Sequence, residues 1–282
     1  MISTEPFLGT VAWAYDSWKT NFYPEKLSQS QWLTFYSAHF NTVEVDSTFY
    51  HLPSETVLKR WKEKTPDTFL FCPKAPRRIT HELKLRKVEF EVETFLQTIS
   101  HLSPKLGIIL FQFPKSFTSV FHRSFEQFLK LLPANFSYAM EFRDKSWNAL
   151  RFDELLREHA IIRVWNDIGK VGEIGAFLHR EQTAPEVYVR LLGDIAHKYD
   201  AAGHVIHHYD RLQWPRNEEL EAWKTRLQSL EKTRRFFVFA ANHYEGFAPE
   251  TVKRLKQKLG LNHPHLKVPS LSVKPIQQEF WD

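Results

Sequence analysis

Leu106-Gly107-Ile108-Ile109-Leu110-Phe111-Gln112-Phe113 is an almost unbroken apolar run. A strand with one solvated face alternates polar and apolar positions. A run that is apolar at both parities belongs to a strand buried on both faces, as in a parallel sheet covered by helices. The next apolar residues, Phe125, Phe128, Leu129 and Leu132, recur at helical spacing, and a second apolar run follows from Phe136 to Phe142. Strand, helix and strand in that order make the crossover unit that joins parallel neighbours.

The same alternation fills the chain in both directions. Upstream lie the runs Phe7 to Trp13, Asn41 to Ser47 and Thr68 to Cys72; downstream lie Ala160 to Trp165, Glu186 to Leu192 and Arg235 to Ala241. Helical spacing connects them, in Trp32, Phe35, Tyr36 and Phe40, in Val88, Val92, Phe95, Leu96 and Ile99, and in Leu220, Trp223, Leu227 and Leu230. Ser28 with Gln31 has the spacing of a capping box before the first helix, and Val171 to His179 is the weakest helical segment. Eight strand and helix units predict an α/β fold, a TIM-type (β/α)8 barrel, better than an open doubly wound sheet. The expected organisation is a single domain over residues 1–260 with a short C-terminal tail, 261–282, that contains Pro264, Pro269 and Pro275.

Composition sets limits on function. Aromatic residues at 15% and hydrophobic residues at 43% suffice for a packed core, which argues against disorder. The 38 Lys and Arg against 33 Asp and Glu give a net charge of +5, suited to an anionic partner without specifying one. Cys72 lies alone in an apolar run and reads as a small buried hydrophobe in a reducing compartment. No secretory signal or membrane-spanning run is apparent, so the expectation is a cytoplasmic protein with no membrane role. With 9 Gly, the chain has little material for a glycine cradle around phosphate. Gly169, Gly172 and Gly175 lack the spacing of a dinucleotide fingerprint, and neither a P-loop, a zinc-protease motif nor a serine nucleophile elbow occurs.

The chemistry is expected where barrels place it, at the C-terminal ends of the strands. Period 2 puts Glu44, Asp46 and Thr48 on one face, and Glu141 with Arg143 on another. Lys74, Gln112, Arg190, Asn242 and His243 occupy the ends of other strands. Buried without partners, such groups would cost several kcal/mol each, roughly 2–7 for a polar group. They read either as one polar constellation or as an ion-paired structural plug. The loop Lys74-Ala75-Pro76-Arg77-Arg78-Ile79-Thr80-His81 adds cations and a histidine able to move a proton near neutral pH. Two carboxylates against at least three cations predict a net positive mouth and an anionic ligand. Trp13, Tyr15, Trp18, Phe22 and Tyr23 in the first loop, with Phe49 and Tyr50 in the second, could stack on sugars or bases or pack a lid. No cofactor is predicted. A divalent metal held by Glu44, Asp46, Glu141, Asp167 and His243 is a lesser alternative, and His197, His204, His207 and His208 lack a zinc-site pattern.

These motifs together resemble the YecE-like family, also called domain of unknown function 72. The resemblance is carried by Gly9-Thr10 through Tyr15, by Phe40-Asn41-Thr42-Val43-Glu44-Val45-Asp46-Ser47-Thr48-Phe49-Tyr50, and by Lys74 to His81. It continues through Leu110 to Pro114, Glu141-Phe142-Arg143 with Ser146-Trp147, Val189-Arg190-Leu191, and Asn242-His243-Tyr244-Glu245-Gly246. Val11-Ala12, Asp46 and Ala241 depart from the residues usual in that family, which are Ser-Gly, Asn and Asn. The resemblance implies a TIM barrel and a site at its mouth, with the reaction left open.

The function expected from the residues is an enzyme of acid/base or hydrolytic type acting on a small anionic substrate, phosphorylated or sugar-like. Glu44, Lys74, His81 and Glu141 would be catalytic, with Lys74 a candidate Schiff-base nucleophile. Substrate would be held by Trp13, Tyr15, Asp46, Tyr50, Arg77, Arg78, Gln112, Arg143, Trp147, Arg190, Asn242 and His243. The alternatives are a nucleic-acid-binding protein or phosphodiesterase, by fold-level likeness to endonuclease IV-like barrels, and a non-catalytic barrel that binds a ligand or partner.

Overall fold

A computed structural model describes residues 6–170, 180–198, 208–230, 233 and 235–261. The strands are β1 (Phe7–Thr10), β2 (Thr42–Val45), β3 (Leu70–Pro73), β4 (Ile109–Gln112), β5 (Tyr138–Glu141), β6 (Ile162–Arg163), β7 (Trp165–Asp167), β8 (Glu186–Leu191) and β9 (Arg235–Ala240). Parallel ladders join β1 to β9, β9 to β8 and β8 to β7, and likewise β2 to β3, β4 to β5 and β5 to β6. Single bridges close the remaining seams: Val11 with Glu44 between the first two strands, and Phe71 with Leu106 and Lys74 with Leu110 between the third and fourth. The short strands β6 and β7 share one position, because Val164 between them donates its N–H to the Met140 carbonyl at 3.0 Å. The described residues therefore form a closed parallel TIM-type barrel of eight strand positions. Each apolar run of the sequence supplied one position, shortened to the part whose backbone is paired.

The helices are α1 (Trp32–His39), α2 (Glu55–Glu63), α3 (Glu89–Ser100), α4 (His122–Leu129), α5 (Leu150–Glu158), α6 (Asn217–Gln228), α7 (Asn242–Glu245) and α8 (Ala248–Lys258). Their buried residues follow the helical period, as in Val92, Phe95, Leu96 and Ile99 of α3 and Phe125, Phe128 and Leu129 of α4. Ser54 caps α2 by accepting from the Val57 N–H, and Pro249 sits in the first turn of α8. Ser28 does not cap a helix in this way. Its hydroxyl meets the Gln31 side chain at 2.9 Å ahead of a 3-10 turn, and α1 begins only at Trp32. The segment Val171 to His179, His204 and His207, and residues 262–282 of the expected tail lie outside the described residues.

Strand parity separates two packing layers. Outward-facing side chains such as Val43, Val45, Phe71, Ile109, Phe111 and Val189 pack against the helices. Inward-facing Cys72, Ile108, Leu110, Ala139, Ile162, Val164, Tyr188, Phe237 and Phe239 form an apolar plug in the lower barrel. Burial pushes the Cys72 thiol up to about 12, so it remains protonated and inert at neutral pH. Gly9 is required where the first two strands meet, because a Cβ there would stand 2.0 Å from the Thr42 carbonyl oxygen. No helix among the described residues is long and apolar enough to cross a membrane.

Ala12, at the exit of β1, has φ of 59°. Its carbonyl is pinned by the Thr10 hydroxyl at 2.6 Å and its N–H by the Glu44 carbonyl at 2.9 Å, which hold the left-handed conformation. A methyl group is disfavoured there and glycine is not. Ala12→Gly is therefore expected to raise the unfolding free energy by roughly 0.5–1 kcal/mol. Urea titration checks this; a loss of stability would show that the pinned conformation carries no strain.

Candidate active site

Above the apolar plug, the inward parity continues into polar residues. Glu44, Lys74, Gln112, Glu141, Asn166 and Arg190 end six strand positions and are all buried. Burial of this kind requires pairing, and Arg190 provides it at the centre. Its Nε and Nη2 donate to the two oxygens of Glu44 at 2.9 and 2.7 Å, and its Nη1 donates to Glu141 Oε2. Tyr188, two residues back on the same face, donates its hydroxyl to Glu44 Oε2 at 2.8 Å. Arg143 Nε donates to the remaining Glu141 oxygen at 2.7 Å. Burial alone would raise the Glu141 carboxyl, but Arg190 and Arg143 outweigh it and hold the group at about 2. Both carboxylates are 0% exposed. Both are fully enclosed, with their oxygens turned to Arg190, Arg143 and Tyr188.

A second layer lies nearer the opening. Lys74 Nζ donates to Asp46 Oδ1 at 2.7 Å and lies over the Phe49 ring at 4.2 Å. The same ring meets His81 edge-on, with ring centroids 4.9 Å apart. His81 Nδ1 is 2.8 Å from the Thr80 hydroxyl, within a single π-helical turn over Arg78–Glu82. Burial lowers the imidazole, Lys74, Arg77 and Arg143 lower it further, and Glu141 opposes them only in part. The result is about 4, so His81 is neutral across the physiological range. Tyr15, whose hydroxyl donates to the Val11 carbonyl at 3.1 Å, is raised by burial and by the nearby Asp46 carboxylate.

The expected site residues divide into groups. Glu44, Asp46, Lys74, His81, Gln112, Glu141, Arg143 and Arg190 come together at the strand ends, with Tyr15 beside them. Gln112 donates its amide to the Phe113 carbonyl at 2.8 Å. Trp13 packs edge-on against Trp61, and Tyr50 stands 64% exposed on the rim. Trp147 belongs to the helix layer: it is fully buried against Phe117 and Phe142, and its Nε1 donates to the Phe117 carbonyl. Arg77 and Arg78 are exposed and pair with Glu82 at 3.4 Å and Glu91 at 2.9 Å, and Arg77 is near enough to His81 to lower its imidazole. Asn242 is a structural hub whose Oδ1 accepts from Trp18 Nε1 and the Ala248 N–H, both at 3.1 Å. His243 lies on the Tyr209 side, 5.1 Å from that ring. Asp167 faces the helices, accepting from Trp223 Nε1 and the Tyr244 hydroxyl, and so stands apart from Glu44 and Glu141. Among the described residues, no group of three or more His, Cys, Asp or Glu is arranged to hold a metal.

The expectation of a net positive mouth needs correction. Among the described residues, Glu44, Asp46 and Glu141 pair with Lys74, Arg143 and Arg190, three charges of each sign, and His81 is neutral. The sequence count left out Asp46 as a counter-ion. Tyr188 and Thr80 were also missed, although parity places Tyr188 on the face of Arg190.

The comparisons agree with this architecture. The family profile described as "Protein of unknown function DUF72" matches residues 7–277. The chain is 28% identical to the UPF0759 protein YecE of Escherichia coli K12 over 92% of its length and 94% of that protein. It is 26% identical to UPF0759 protein YunF of Bacillus subtilis, over 92% and 96% of the two. A solved DUF72 family protein of Thermotoga maritima is 30% identical, with a TM-score of 0.74 over 90% of this chain and 98% of that one. With its profile matched over nearly the whole sequence and its barrel shared with a solved member, the chain belongs to the DUF72 family.

Proposed function

We propose that the chain is an enzyme acting by acid–base chemistry on a small, sugar-like anionic substrate at the mouth of the barrel. One observation supports this most: a neutral, half-buried imidazole stands beside two cations, Lys74 and Arg143, above a charge-compensated floor. His81 is the base. Arg143 spends Nε on Glu141 and, at 27% side-chain exposure, presents its outer edge to a ligand. Lys74 stabilises negative charge that develops as the proton leaves. Trp13, Tyr15 and Tyr50 supply apolar faces for a sugar-like body. The nucleic-acid alternative draws less support, because Arg77 and Arg78 are engaged by Glu82 and Glu91.

A panel of sugar acids and sugar phosphates, followed by calorimetry for binding and by NMR for turnover, tests the reading. A bound and turned-over acid is expected, with affinity falling at least about tenfold in Arg143→Ala as a charge-assisted contact is lost. Binding that Arg143→Ala leaves intact would overturn it, as would a panel without a single ligand.

A further inference from the structure

We propose that Asp46 selects the charge of the ligand: by occupying Lys74 it makes the mouth a site for a singly charged acid and disfavours dianions such as phosphate monoesters. The inference rests on the reading of the mouth as an anion-binding enzyme site.

The ion pair is built into the backbone. Asp46 opens the 3-10 helix Asp46–Phe49, and Lys74 follows directly on β3. The Thr48 hydroxyl lies 2.7 Å from the Lys74 carbonyl and 2.8 Å from the Val45 carbonyl, tying the two segments together. Phe49, from the same short helix, covers another side of the ammonium. Lys74 is thus held from two directions by one turn of chain, and its side chain is 9% exposed.

Asp46 differs from the other two carboxylates in what a ligand meets. Glu44 and Glu141 are fully buried beneath the guanidinium groups of Arg190 and Arg143. The Asp46 side chain is 30% exposed, so among these three carboxylates it is the one an incoming anion meets. With three carboxylates balancing three cations, a monoanion on Arg143 and Lys74 leaves one uncompensated charge and a dianion leaves two. At a separation of about 7 Å in a half-solvated site, each further charge on the ligand weakens binding by roughly tenfold through Asp46. A sugar acid therefore fits the mouth better than the matching sugar phosphate.

Calorimetric titration at pH 7.5 with formate, a monoanion, and sulfate, a dianion, tests this on the wild-type chain, Asp46→Asn, Asp46→Glu and Arg143→Ala. The wild type and Asp46→Glu are expected to prefer formate. Asp46→Asn is expected to shift the sulfate-to-formate affinity ratio toward sulfate by roughly tenfold. Arg143→Ala is expected to weaken both anions. If both anions bind through Arg143 and Asp46→Asn leaves the ratio unchanged, the selector role is wrong while the anion-binding mouth stands. If neither anion binds, or if Arg143→Ala leaves binding intact, both readings are overturned. The thermal unfolding profile of each variant separates lost binding from lost folding.

Discussion

Replacing Arg190 with methionine is expected to lower the unfolding free energy by about 3–5 kcal/mol. Glu44 and Glu141 are both fully buried and turn three of their four carboxylate contacts with cations onto this one guanidinium. Methionine fills most of the volume, so the loss measures Glu44 stripped of its cation and Glu141 left with Arg143 alone, more than a cavity. The pH dependence has a definite sign. Glu141 is held at about 2 when folded, below its ordinary 4.5, so its contribution is present above about 4.5 and is lost as pH falls through about 2. In Arg190→Met, burial acts on the Glu141 carboxyl with only Arg143 opposing it, and stability recovers in part as pH falls and the group takes up a proton. Urea titrations at pH 7.5 and pH 5 read both effects. A loss below about 1 kcal/mol at pH 7.5, with no dependence on pH, would show that the carboxylates are not held charged by Arg190.

The second large effect concerns His81. His81→Asn is expected to reduce turnover of a mouth-bound acid by roughly 10²- to 10⁴-fold, the contribution of one positioned base, with stability little changed because the ring is only half buried. The wild-type profile carries the sharper signature. Burial, Lys74, Arg77 and Arg143 bring the imidazole to about 4, so kcat/KM should rise with pH through about 4 and be level by pH 6. An unperturbed histidine would place that limb near 6.5. A limb at 6.5, or an equal limb in His81→Asn, would remove His81 from the base role. The same shift also affects folding. With the folded value below the unfolded one, the neutral ring contributes stability that is full above about 6.5 and declines as pH falls toward 4.

The proposed proton chemistry rests on His81 because of what surrounds each carboxylate. Period 2 placed Glu44 and Glu141 inside the barrel, and there they are. Strand parity could not reveal that Arg190, two strand positions after Glu141 and five after Glu44 in sequence order, would satisfy both. The pairs Arg190–Glu44 and Arg190–Glu141 join residues 146 and 49 positions apart. Asp46 was legible as an inward residue at a strand end, but its partner Lys74 lies 28 residues on and meets it only because β2 and β3 pair in register, Val45 opposite Pro73. Trp147, beside the Glu141-Phe142-Arg143 motif, was expected to hold substrate, yet the chain turns after Arg143 and places it in the helix layer. Arg77 and Arg78 were basic in sequence, but the tight helical turn that follows Arg77 brings them to Glu82 and Glu91 as ion-pair partners.

The sequence by itself determined the barrel: runs apolar at both parities allow only strands covered on both faces, and eight of them alternating with amphipathic helices close into a ring. It also determined that polar side chains would gather at the strand ends, because parity is a local property of the backbone. The tertiary structure alone decided which of those groups neutralise one another, which remain partly exposed, and that among the described residues three carboxylates meet three cations beside a neutral histidine. Charge pairing and pKa depend on distances across the barrel of a few ångströms, and those distances exist only once every strand is in register.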